Sequence, residues 1–367
     1  MYDLGFNKPI KDTKIAVAMS GGVDSSVVAA MLKDFGYNVI GLTMRLYNQN
    51  DNVNSSKTCC AGRDINDAIR TAKQYKFPHH ILELQESFFN NVIDDFIETY
   101  KIGKTPIPCI RCNQTVKFTD MFSIAKEMKA DALVTGHYVR RIQDSKKTKL
   151  YKATDKEKDQ SYFLFATTKS QLDYLRFPLG NYSKKEVRKL AKELNLSVTD
   201  KKDSQDICFV TGGSYSDLIK KIKPNSFLEG DILNLKNEII GKHQGIINYT
   251  VGQRRKIGIG GNIDPLYVIK IDSEKNTITV GNKNNLKKTI VKVEKINWIS
   301  DKIIDNIFCE AKIKSDQAST PGKLKLLKNN CAEFEFDKPQ ISIAPGQACV
   351  FYLGDEVLGG GWISNKN

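Results

Sequence analysis

Residues 14–35, KIAVAMSGGVDSSVVAAMLKDF, constrain the fold more tightly than any other stretch of this chain. Lys14–Met19 is a short apolar strand. The loop from Ser20 follows, then a helix over Ser25–Phe35 with Val27, Val28, Met31, Leu32 and Phe35 on one amphipathic face and Gly36 as its stop. The alternation continues to about residue 138. Further strands are expected at Asn38–Leu46, His80–Leu84 and Ala132–Thr135, with helices near Arg63–Tyr75, Ser87–Tyr100 and Phe118–Met128. Such alternation points to the α/β class with a doubly wound parallel sheet. Ligands of these sheets sit beyond the carboxyl ends of the strands, where strand order reverses. The Ser20 loop and Gly136-His137-Tyr138 both fall at that edge.

The loop Ser20-Gly21-Gly22-Val23-Asp24-Ser25-Ser26 has the make-up of an anion site. Its glycines let the backbone approach closely. Its serine hydroxyls and the N–H groups at the helix start can grip phosphate oxygens. No Gly-Lys-Ser/Thr follows, so this is not a Walker A loop, and it lacks the G-x-G-x-x-G of a dinucleotide turn. The alternative is an ordinary Gly-rich strand-to-helix turn, but strand, loop and helix stand in the order that phosphate binding requires.

Residues 1–13 read as a polar lead-in, and 139–160, polar and Lys-rich, as an exposed connection. A helix is expected near Lys184–Leu194. At about residue 212 the chain turns to short β-rich runs: Gly245–Val251, Leu266–Ile271, Thr277–Val280, Cys331–Phe336 and Ala348–Leu353. The expected organisation is a catalytic domain over 1–211, a small central β-rich domain over 212–284 and a C-terminal β-barrel over 285–367. The chain has 367 residues, enough for such a set of cores. It shows neither an apolar signal core nor a run of about 18 apolar residues, so a cytoplasmic location without a membrane partner is expected. Lys and Arg number 56 against 42 Asp and Glu, a net charge of +14. That excess favours a polyanionic partner such as nucleic acid. Abundant Lys, Asn and Ile give the same excess in chains that bind none.

Eight cysteines are present. Cys109 and Cys112 form a C-x-x-C inside Thr105–Phe118, where Pro106 and Pro108 predict an extended loop. Cys208 lies in KKDSQDICF (201–209), among basic residues that favour a thiolate nucleophile. A C-x-x-C alone fits a zinc half-site, a redox pair or cluster ligands. The lack of a second one argues against a closed four-cysteine zinc site. Cys309, Cys331 and Cys349 read as core residues and Cys59-Cys60 as structural. His137, at a strand end, reads equally as a packed residue or a ligand contact.

SGGVDSS resembles the pyrophosphate loop of ATP pyrophosphatases. Taken with the cysteines, the whole chain resembles the bacterial tRNA-specific 2-thiouridylases. The resemblance rests on AMSGGVDSS (18–26), PCIRCNQTVKF (108–118), TGHY (135–138), KDQSYFL (158–164), FPLG (177–180), KKDSQDICF (201–209), GKHQG (241–245), YTVGQRRKIGIGG (249–261) and PGQACVFY (345–352), in order over nearly the whole chain.

The resemblance implies an adenine-nucleotide α-hydrolase sheet and ATP-dependent thiolation of C2 of the wobble uridine in tRNA. ATP would adenylate O2, and a cysteine persulfide would then deliver sulfur. It implies Cys208 as the persulfide carrier and Cys112 as the second catalytic cysteine, a nucleophile. ATP would be bound by Ala18, Met19, Ser20, Gly21, Gly22, Val23, Asp24, Ser25, Met44 and Gly136, with Mg2+ bridging the phosphates. Ile107, Pro108 and Cys109 would lie by the target base. His137, Lys158, Asp159, Gln160, Lys314, Ser315 and Gln347 would touch tRNA. A cysteine desulfurase or sulfur-relay protein would supply the sulfur.

Two departures stand out. Many members carry Asp where this chain has Cys109, and often Arg-Tyr where it has Lys314-Ser315. Three thiolates, Cys109, Cys112 and Cys208, could instead hold an iron–sulfur cluster that carries the sulfur. From a different class, a non-catalytic tRNA-binding protein would explain the charge and the barrel but not the loop.

Overall fold

Ile15, Ala16 and Val17 lose all contact with solvent because their strand lies in the middle of a sheet. The computed structural model describes residues 3–47, 62–144, 147–202, 207–210, 214–260, 265–301 and 305–365. Cys59-Cys60 and the boundary expected at 211/212 lie outside the described residues. The chain forms two compact units, one of residues 1–92, 109–212 and 355–357, the other of residues 93–108, 213–354 and 358–367.

In the first unit β1 (Lys14–Ala18), β2 (Asn38–Arg45), β3 (His79–Glu83) and β4 (Ala132–Thr135) are parallel. The hairpin β5 (Val139–Asp144) and β6 (Lys147–Lys152) follows, then the short β7 (Leu175–Arg176), parallel to β4. The sheet order is β3-β2-β1-β4-β7, so strand order reverses between β1 and β4. This is the expected doubly wound sheet, and it brings the loop after β1 and the turn after β4 to one edge.

The helix α1 (Val23–Asp34) ends as expected, with Gly36 at φ +105° donating its N–H to the Lys33 carbonyl. It is not amphipathic, however. Val23 and every residue from Ser25 to Leu32 are buried. Alanines and small apolar residues fill the turns that would otherwise face water, and Val187, Ala191, Leu196 and Val198 join the same core. The helix α2 (Gly62–Gln74) does have one apolar face, burying Ile65, Ala68, Thr71 and Ala72.

Three sequence expectations are corrected here. The segment with Pro106 and Pro108 is not extended throughout: a helix begins at Pro108 (Pro108–Cys112) and runs on as a π-helix, Asn113–Met121. Proline suits a first helical position, where its missing N–H is no loss. Residues 139–160 are not a plain connection, because β5 and β6 occupy most of them and bury Val139 and Leu150. Gly245–Val251 is not a strand; Ile246–Asn248 forms a 3-10 turn after Gly245 at φ +112°.

Among the described residues of the second unit, two sheets each carry an apolar core. The first belongs to a four-stranded sheet of β8 (Gly230–Leu233), β9 (Ile239–His243), β10 (Tyr267–Asp272) and β11 (Thr277–Gly281), centred on Ile232, Val268, Ile278 and Val280. The second belongs to β12 (Lys287–Trp298), β13 (Ile307–Lys312), β14 (Thr320–Leu327), β15 (Cys331–Ile341), β16 (Ala348–Leu353) and β17 (Glu356–Ile363). These close into a six-stranded antiparallel barrel when β12 pairs with β17, Val293 opposite Ile363. Phe334, Phe336 and Phe351 fill it, with Cys309 and Cys349 buried beside them. Cys331 is only half-buried at the start of β15, so it is not the core residue expected.

Candidate active site

Gly21 sets the geometry of the loop. Its φ of +71° is open to glycine, and a Cβ there would stand 1.9 Å from the Asp64 carbonyl oxygen of α2. Gly22 is the N-cap of α1, and no side chain caps this helix end. The Ser25 hydroxyl accepts from the Ser20 N–H at 3.1 Å and lies 3.3 Å from the Ser20 hydroxyl, folding the loop over the helix start. The Ser26 hydroxyl is buried with no hydrogen-bond partner among the described residues. An uncapped helix start ringed by hydroxyls, with one buried polar atom unsatisfied, fits an anion such as a nucleotide phosphate.

The turn after β4 closes the other side. A Cβ on Gly136 would sit 3.1 Å from the Asp24 carbonyl carbon and the Ser25 nitrogen, so any larger residue would press on the loop at the start of α1. Tyr138 donates its hydroxyl to Asp24 Oδ1 at 2.8 Å. Gln160 accepts the Tyr138 N–H at 2.9 Å and donates its own backbone N–H back to the Tyr138 carbonyl. Asp159 binds the Ala153 N–H and the Ser161 hydroxyl. Asp159 and Gln160 thus brace the turn, and Lys158 is half-buried beside them.

On the β2 side, Thr43 donates to the Met19 carbonyl at 2.8 Å and therefore accepts from His79 Nε2, also at 2.8 Å. Burial pushes the His79 pKa down to about 4, so the ring is neutral and this relay pins the loop's entry. Met19 and Met44 are both buried, and Ala18 is half-buried.

The cysteines are placed differently from one another. Cys109 is exposed and Cys112 buried on the same short helix, and all six described cysteines are thiols. Burial pushes the Cys112 thiol pKa up, opposed by the charge of Lys117, while Cys109 pushes it further up. Lys117 also acts on His137, whose pKa burial drives well below the usual value. That ring packs edge-on against Phe118 and Phe177, with Nδ1 2.8 Å from the Thr135 hydroxyl. Cys208 is half-buried, its sulfur 3.8 Å from the Tyr47 hydroxyl, and the rings of Tyr47, Phe88 and Phe209 stack edge-to-face beside it. Among the described residues no three His, Cys, Asp or Glu side chains gather to hold a metal.

In the second unit, Gln347 donates to the Thr105 carbonyl at 3.2 Å and Thr105 donates to the Pro345 carbonyl at 2.7 Å. Gln347 is thereby joined to the segment that carries Ile107 and Pro108, both buried. Lys314 and Ser315 lie in the turn region after β13, half-buried and exposed respectively.

Sequence reasoning missed Lys117, Lys184 and Lys201. Lys201 donates to the Gly21 carbonyl at 2.8 Å, to Asp64 at 2.6 Å and to Asp67 at 2.7 Å. Burial disfavours its charge, but the two carboxylates outweigh this and raise its pKa. Lys184 grips both oxygens of Asp24 at 2.8 Å. Its partner is 160 positions away, and no local pattern announces a contact over such a span.

An α/β sheet with an anion loop at its switch point, followed by a closed β-barrel, defines a nucleotide-loop enzyme class with an appended β module. The family described as tRNA methyl transferase HUP domain matches residues 13–212, the tRNA methyl transferase PRC-barrel domain residues 216–282, and the aminomethyltransferase beta-barrel domain residues 288–363. The chain is 51% identical to the tRNA-specific 2-thiouridylase MnmA of Orientia tsutsugamushi over 96% of each protein. It is 46% identical to that of Rhodospirillum centenum over 99% of this chain and 94% of the relative, and 48% identical to that of Paracoccus denitrificans with the same coverage. The chain belongs to the tRNA-specific 2-thiouridylase family. No helix among the described residues is long and apolar enough to cross a membrane.

Proposed function

We propose that this protein is a tRNA-uridine 2-sulfurtransferase that thiolates C2 of the wobble uridine at the expense of ATP. The observation that carries the reading is one unit that holds both a phosphate-shaped loop and two thiols of unlike environment, Cys112 buried and Cys208 half-buried. The C2 carbonyl of uracil is urea-like, a weak electrophile with a poor leaving oxygen. Attack of O2 on the α-phosphorus of ATP expels pyrophosphate and makes that oxygen a leaving group. The terminal sulfur of a Cys208 persulfide then attacks C2, and AMP departs with the old oxygen. The Cys112 thiolate attacks the Cys208 sulfur, releasing the thiocarbonyl and leaving a Cys112–Cys208 disulfide for an external thiol to reduce.

The residues support these roles. Ala18–Ser25, with Gly136 and Met44, form the nucleotide side, where Mg2+ would offset the charge of the phosphates. Ile107, Pro108 and Cys109, the last exposed, are assigned to the target base, and His137, neutral and packed, to the tRNA. Lys158, Asp159, Gln160, Lys314, Ser315 and Gln347 are assigned to the tRNA, Asp159 and Gln160 also through the turn they brace. A persulfide donor such as a cysteine desulfurase or a relay protein loads Cys208. The curated relatives are named 2-thiouridylases, and the reading follows them rather than the methyl-transfer wording of the family descriptions.

Cys208→Ser tests the assignment. With undermodified tRNA and ATP it should still release pyrophosphate while forming no 2-thiouridine. Thiolated tRNA from this variant would remove Cys208 as the carrier.

A further inference from the structure

Between Lys14 and Lys33 the chain has neither Lys nor Arg, so the loop that is to hold phosphate supplies only hydroxyls, N–H groups and a helix start. The aim of those N–H groups decides what the loop can grip. Gly22 is the N-cap of α1, and its N–H has no hydrogen-bond partner among the described residues. A peptide unit is planar, and its C=O and N–H point to opposite sides. Whatever holds the Gly21 carbonyl therefore aims the Gly22 N–H. That carbonyl accepts from Lys201 Nζ at 2.8 Å.

An ammonium has three N–H donors. Lys201 gives the other two to α2, to Asp64 Oδ1 at 2.6 Å and Asp67 Oδ2 at 2.7 Å. Its donors are all taken, and two carboxylates outnumber the one cation. Lys201 is thus poorly suited to bind a phosphate itself, and its contact with the loop is a backbone carbonyl. The brace is anchored on both sides. Asp64 and Asp67 share one face of α2, with side chains 14% and 18% exposed. Arg188 of the helix Lys184–Glu193 donates to the Thr199 and Lys201 carbonyls at 3.1 Å each, which fixes the backbone that carries the lysine.

Resting on the nucleotide reading above, we propose that Lys201 is a positioning residue of the phosphate site: it holds the Gly21–Gly22 peptide so that the Gly22 N–H donates to a phosphate oxygen. The test uses the full-length protein with isotope-labelled glycine, an ATP analogue that cannot be cleaved between the α and β phosphates, and Mg2+. The Gly22 amide proton should move downfield when the analogue binds to the unaltered protein. A Gly22 amide that stays in place as the analogue binds would overturn the proposal without recourse to any variant. Lys201→Met should abolish that movement and weaken the analogue about 10- to 100-fold by calorimetry, the scale of one hydrogen bond to a charged group, while adenosine binding is unchanged. Unchanged analogue affinity, or an equal loss for adenosine, would overturn the positioning role. Adding Asp64→Asn and Asp67→Asn to Lys201→Met removes the carboxylates that the single variant leaves unpaired. The same loss is expected there, and recovered affinity would make the effect one of charge and overturn the role. If the unaltered protein binds no analogue at all, the nucleotide reading fails and the proposal falls with it.

Discussion

At the scale of single residues, the site is a set of opposed pKa pressures. Burial raises the Cys112 thiol, and Lys117 pulls it back. A raised thiol pKa means the thiolate appears later as pH rises, so Cys112 should react with iodoacetamide slowly near neutrality and faster through the alkaline range. Lys117→Met removes the opposing charge and should move that rise to still higher pH, read by mass spectrometry of the Cys112 peptide. A profile unmoved by the substitution would separate Lys117 from the thiol. The types of these residues were legible in the sequence, and their environments were not. The C-x-x-C was legible as a pair, yet only the fold puts Cys109 and Cys112 on one helix, the first exposed and the second buried. Lys184 and Lys201 were invisible for the same reason, since their contacts are made by packing across the unit.

At the scale of elements, periodicity and glycine carried most of the information. The strand–loop–helix run at 14–35 was readable because each part has a distinct physical signature. Gly21→Ala should cost about 2 kcal/mol or more, since the new Cβ would need φ +71° and meet the Asp64 carbonyl at 1.9 Å. A urea midpoint equal to that of the parent protein would contradict this. Errors arose where one signal has two uses. Proline ends extended segments and also begins helices, and Pro108 does the latter. Lysine-rich sequence marks exposed loops and also the outer face of a hairpin, as in β5 and β6. The all-round burial of α1 was hidden because small residues such as Ala29 and Ala30 do not declare a face.

At the scale of the whole molecule, charge and assembly of parts matter. An excess of +14 on a chain whose family relatives are tRNA enzymes predicts binding dominated by phosphate contacts. tRNA affinity should then fall about a thousandfold or more between roughly 50 and 200 mM salt if six or more phosphates are engaged, by filter binding across that range. A flat response would leave the basic excess as composition alone. The barrel was legible as short runs of strand, but its closure by β12 and β17 was not, because pairing of distant strands leaves no local mark. The central claim is that nucleotide cleavage and sulfur transfer are one reaction. It is tested most directly by measuring AMP, pyrophosphate and 2-thiouridine together, with undermodified tRNA and a persulfide donor. The account predicts equal amounts of all three, with none formed when tRNA is omitted; 2-thiouridine formed without AMP would contradict it.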